Sequence, residues 1–121
     1  MRTSTTIKLE TYSCELVVTI TDTLKKESDA VYKKNKLKAD EDDDGENEGI
    51  LITSDTSKYF LIIDTKYLSH NTIAHELYHA VVRVTEDRGV VDEEAQAWLS
   101  GHLAGVVYKF LEKKKLDIKH G

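Results

Sequence analysis

No proline occurs in the 121 residues, and there are only one cysteine, one tryptophan and two phenylalanines. Without proline, the ends of helices and strands have to be set by Gly, Asn, Asp and runs of charge. Cys14 has no second cysteine to pair with. It sits among Leu16, Val17, Val18 and Ile20, so it reads as a small buried hydrophobe in a protein of a reducing compartment. Apolar runs long enough to cross a bilayer are missing too, and Met1 to Thr6 leads into no apolar signal core. A cytoplasmic protein without a membrane partner is therefore expected.

Excess positive charge is also lacking. Seventeen Lys and Arg stand against 22 Asp and Glu, a formal charge of −5 that repels a phosphate backbone unless the basic residues segregate onto one face. The lysines at 25, 26, 33, 34, 36 and 38 and at 113 to 115 fall instead in amphipathic stretches, as on solvated helix faces. Nucleic acid is not an expected partner. What the chain does have is 40% hydrophobic and 32% charged residues, enough for one modest core under a well-solvated surface. A single domain over residues 1–121 follows.

Along the chain, β-branched Val17, Val18, Thr19 and Ile20 favour a strand from Cys14 to Thr21. Asp22 can cap a helix to about Lys38, with Leu24, Ala30, Val31, Tyr32 and Leu37 at helical spacing. Residues 40–49 are too charged to bury and read as an exposed acidic loop. Ile50 to Thr53 and Tyr59 to Ile63, separated by Ser54 to Ser57, form a hairpin pattern. Ser69, Asn71 or Thr72 can cap the next helix. Ile73, Ala74, Leu77, Tyr78, Ala80, Val81, Val82 and Val84 make it apolar around most of its circumference, which places it centrally. Gly89 suits its left-handed end, and Asp92 suits the start of a last helix that closes on Lys113 to Lys115. The order strand, helix, hairpin, helix, helix predicts a small α+β domain.

The chemistry lies in His75-Glu76-Leu77-Tyr78-His79. Side chains four apart on a helix leave the same face, so both imidazoles can reach one ion. Zn2+ accepts neutral imidazole in tetrahedral geometry, and three protein ligands leave a position for water. Glu76, beside the ligand face, can take a proton from that water and deliver it to a leaving group. Shuffling this composition produces the pattern roughly twice in a hundred trials. Its setting on an apolar helix, where unpaired polar groups cost several kcal/mol, argues further against accident.

A third ligand is expected in Asp92 to Trp98. Glu94 is the choice. Glu93, Asp92 and His102 are the lesser alternatives: Asp92 is more naturally consumed as a cap, Glu93 points about 100° away around the axis, and His102 lies roughly 12 Å further along it. Gln96 can orient a ligand histidine, while His70 and His120 lack partner spacing and read as surface residues.

At these residues the chain resembles a zincin metallopeptidase of the glutamate-ligand type. The stretches Ile73 to Val82 and Asp92 to Gly101 look like small metallopeptidase-like proteins encoded by tailed bacteriophages. The resemblance covers the last third to half of the chain. It implies a zincin-like fold, with a short mixed or antiparallel sheet packed on a central His-Glu-x-x-His helix and a C-terminal helix. It implies zinc on His75, His79 and Glu94, Glu76 activating water, and a peptide or protein substrate. It also implies a strand along which an extended peptide pairs, for which Tyr59 to Asp64 is nominated.

No oxyanion donor stands out, and Tyr78, Tyr67 and His102 qualify by chemistry only. The alternative is a non-enzymatic phage structural or assembly protein, in contact with other phage proteins or carried in a virion, in which zinc ties two helices together. Asp40, Asp42, Asp44 and Gly45 begin a calcium-loop pattern, but Leu51 stands where such a loop needs Glu. A solvated acidic loop is expected there, or else an acidic interaction module whose binding weakens with salt.

Overall fold

A computed structural model describes residues 1–37, 48–55 and 57–120. Among the described residues four strands and three α-helices make an α+β domain: β1 Arg2–Leu9, β2 Cys14–Thr21, α1 Leu24–Lys34, β3 Gly49–Asp55, β4 Lys58–Asp64, α2 His70–Asp87 and α3 Glu93–Lys113. The sheet is mixed, in the order β1-β2-β4-β3. β1 pairs antiparallel with β2, β2 parallel with β4, and β3 antiparallel with β4 as the hairpin pattern predicts.

β1 was not expected. Its Arg-Thr-Ser-Thr-Thr start carries little apolar signal, and only Ile7 and Leu9 are buried, yet it pairs with β2 along its whole length. An edge strand with one polar face satisfies its backbone on the neighbour and needs few apolar side chains. The helix expected from Asp22 to Lys38 is shorter. Asp22 does not cap it but binds the N-terminal ammonium at 3.2 Å, and Thr23 occupies the N-cap. Lys36 turns left-handed (φ 57°) just beyond its end. The calcium-pattern residues Asp40, Asp42, Asp44 and Gly45 lie outside the described residues, and Gly49, assigned to the loop, opens β3.

Alternation along the strands sends side chains to two faces. On one face Leu16, Val18, Ile20, Leu61 and Ile63 pack with α2 and α3 through Ile73, Leu77, Val81, Leu99, Leu103 and Val107. On the other, Ile52 and Ile62 meet Leu24, with Val31 and Tyr32 of α1 alongside. Each fully buried leucine or isoleucine contributes about 1.5–3 kcal/mol. Because helices cover both faces, α2 is not enclosed as its composition suggested. One side carries Ile73, Leu77, Ala80 and Val84 into the core, and the other is open, with Tyr78 65% exposed. Ser69, of the three candidate caps, accepts from Thr72 N–H, Gly89 takes φ 67°, and Asp92 caps α3 by accepting from Glu94 N–H. Among the described residues no helix is long and apolar enough to cross a membrane.

The end of α2 is fastened to the sheet by Tyr59. Its hydroxyl donates to Asp87 Oδ2 at 2.6 Å and accepts from Arg88 Nη1 at 2.8 Å, and Arg88 Nε donates to the Tyr12 carbonyl at 2.6 Å. Burial, reinforced by the bond to Asp87, pushes the phenol up to about 12 from its ordinary 10.0, against the opposing pull of Arg88. The unfolded chain therefore loses this proton first. The stabilisation is complete below about pH 10 and is lost as pH rises toward about 12. Denaturant unfolding across this range should show that decline in the natural chain, and Tyr59→Phe should lack the Tyr59 component.

Candidate metal centre and groove

α2 places His75 and His79 one turn apart on its open side, and both imidazoles are exposed. Their Nε2 atoms lie 3.1 Å apart, with ring centroids separated by 4.7 Å and planes at 78°. Two nitrogens bound to a tetrahedral zinc at about 2.0–2.1 Å are themselves about 3.3 Å apart. The two nitrogens, at hydrogen-bond distance from one another here, lie close to the separation that two zinc-bound imidazoles would have.

Glu76, about 100° around the axis from His75, turns toward β3 beside the histidines and is 7% exposed. Burial raises its carboxyl above the ordinary carboxylate range. His75 and His79 pull it down, and the negative charge of Glu48 pushes it further up. The carboxyl group lies against the backbone of β3, where a methyl group on Gly49 would fall 2.9 Å from Glu76 Cγ and Cδ. That approach is pinned next to Gly49: Glu48 Oε2 accepts from Thr72 Oγ1 at 3.1 Å, and Thr72 Oγ1 in turn accepts from Ser69 Oγ at 3.1 Å. The first turn of α2 and the start of β3 are fastened together.

Between them runs a groove of about 510 Å³, lined by Glu48 to Leu51 on one side and by His75, Glu76, His79, Val82, Arg83 and Glu86 on the other. β3 is the edge of the sheet, so Tyr59 to Asp64, nominated as the pairing strand, has no free side. It is β4, held between β2 and β3. Asp64 N–H donates to the Glu48 carbonyl at 3.0 Å, which makes these two residues a hydrogen-bonded pair. In an antiparallel ladder bonded and non-bonded pairs alternate. With Gly49 opposite Ile63 and Leu51 opposite Leu61, the main-chain N–H and C=O groups of Gly49 and Leu51 therefore point away from β4. Among the described residues β3 has no partner on that side.

Glu94 is not gathered to the histidines. It is exposed in the first turn of α3, and the helices run antiparallel. Gln96 Nε2 donates to Thr85 Oγ1 at 3.2 Å near one end, and His70 Nδ1 meets Tyr108 Oη at 2.9 Å near the other. Thr85 lies six residues beyond His79, about 9 Å along the axis, and Glu94 precedes Gln96 on the antiparallel partner. Gln96 serves the Thr85 hydroxyl and not a histidine. Glu93 is exposed, Asp92 is the cap, and His102 stacks on Trp98 at 5.2 Å. Among the described residues no three of His, Cys, Asp and Glu come together as a metal-binding set.

Sequence reasoning missed Glu48, Gly49, Leu51, Arg83 and Glu86 as groove residues. Arg83 and Glu86 were within its reach, since they stand four and seven residues beyond His79 on the same helix side. No local signal marks Glu48 or Gly49, which reach α2 through the sheet.

No protein-family model, curated protein or solved structure matches this chain.

Proposed function

We propose that the protein is a zinc-dependent peptide hydrolase. The reading is carried by the 3.1 Å convergence of His75 and His79 Nε2 on the open side of α2, next to a buried glutamate. Bound there, zinc supplies Lewis acidity and lowers the pKa of water to about 7. Glu76 receives the proton as the water oxygen bonds to the peptide carbonyl carbon. When the C–N bond breaks, Glu76 returns the proton to the departing nitrogen, and the water's second proton follows from the new carboxyl group, leaving a carboxylate and an ammonium group. An extended peptide suits the groove because Gly49 and Leu51 offer outward backbone donors and acceptors, which gives strand addition at the β3 edge. A zinc ion that merely ties helices together is enclosed by its ligands. Here both histidines come from one helix and are open to solvent, which favours the hydrolase over the structural alternative.

Glu94 is the third ligand that the resemblance proposes, and it has to swing toward α2 to serve. Glu48 already stands in the groove. Elemental analysis after dialysis against zinc should give one ion per chain, and His75→Ala or His79→Ala should abolish it. Removing a ligand carboxylate should weaken binding at least about tenfold, so comparing Glu94→Ala with Glu48→Ala identifies the carboxylate that completes the set. Retention of stoichiometric zinc by both histidine variants would overturn the metal centre.

A further inference from the structure

Cleavage of a peptide by this route builds negative charge on the carbonyl oxygen, and donors fixed toward that oxygen give the largest electrostatic gain. None of the donors expected from chemistry lines the groove. Tyr67 lies in the turn Thr65–Tyr67 under Lys66 Nζ, Tyr78 projects to solvent, and His102 stacks on Trp98. Arg83 does line it, as the one cationic side chain among the described lining residues.

Arg83 stands one turn beyond His79, about 6 Å further along the axis and on the same side of the helix. Its Nη1 donates to Thr53 Oγ1 at 3.2 Å, so the guanidinium reaches from α2 across to β3. None of the ion pairs among the described residues involves it, although Glu86 lies on the next turn. A guanidinium keeps its charge at any working pH and carries five N–H groups, more than one threonine oxygen can engage. A peptide paired with the outward edge of Gly49 and Leu51 would run along the groove that Arg83 and the two imidazoles line together.

We propose that Arg83 is a catalytic residue that donates to the carbonyl oxygen of the cleaved bond. As the water oxygen bonds to carbon, the carbonyl electron pair shifts onto the oxygen that Arg83 holds. It returns when the C–N bond breaks and nitrogen takes the proton from Glu76. This assignment rests on the hydrolase reading above.

The test uses zinc-loaded Glu76→Gln protein and two probes of one sequence: a phosphinic peptide, whose tetrahedral anion copies the oxyanion, and the amide peptide. Adding Arg83→Gln should weaken the phosphinic peptide by about 10²-fold and the amide peptide by less than about threefold, with Arg83→Lys recovering part of the loss. An equal loss for both probes, or none, overturns the assignment. A chain that shows this Arg83 dependence yet, with Glu76 intact, cleaves no peptide overturns the hydrolase reading and with it the catalytic role, leaving Arg83 as a donor to a bound tetrahedral anion. Cleavage that Arg83→Gln leaves intact contradicts the role of Arg83 alone.

Discussion

Glu76→Gln should lower peptide hydrolysis by about 10²- to 10⁴-fold, the span over which a positioned acid–base group acts, and should leave one zinc per chain. The amide has nearly the carboxylate's shape, so it can keep the packing against Gly49 while losing the capacity to accept and return a proton. His75 and His79 supply the metal donors and are unchanged, which separates this variant from loss of the ion. The measurement is turnover of a peptide library beside elemental zinc on the same preparation. If hydrolysis survives at the natural rate with zinc bound, Glu76 is not the base and the mechanism falls.

Gly49→Ala should be the most damaging single methyl group in the groove. The added carbon would sit 2.9 Å from two atoms of Glu76, closer than carbon atoms tolerate. Either the carboxyl arm swings out of its place or β3 retreats and strains the Glu48–Thr72 bond. Overpacking of this kind costs about 1–3 kcal/mol. The cost belongs to a contact, so it should vanish in a Glu76→Ala background, and denaturant unfolding of the four proteins of that cycle measures the coupling. The same substitution should lower kcat with zinc retained. An equal stability cost in both backgrounds would show that Gly49 acts on something other than Glu76.

Much of this molecule can be read residue by residue. The α+β class, the strand Cys14–Thr21, the hairpin of β3 and β4, and the caps at Ser69 and Asp92 follow from β-branching, turn residues and capping chemistry, all of which act over a few positions. β1 was hidden because an edge strand with a polar face carries little hydrophobic pattern, and only its pairing with β2 reveals it. The apolar content of α2 was legible, but its position on an open flank was not. Burial depends on where α1 and α3 lie, and the composition of one helix does not encode that.

The site divides in the same way. Sequence by itself determined that His75 and His79 share a helix face with Glu76 at its side, because a 3.6-residue turn fixes those directions wherever the helix goes. It also marked Asp92 to Trp98 as the start of α3. Only the tertiary structure decided that this start lies at the far end of α2, leaving Glu94 away from the histidines while Glu48, Gly49 and Leu51 face them. The physical reason is the parallel pairing of β2 with β4, which sets β3 on the sheet edge beside α2. That pairing joins residues some forty positions apart, such as Leu16 and Tyr59, and no local propensity specifies it.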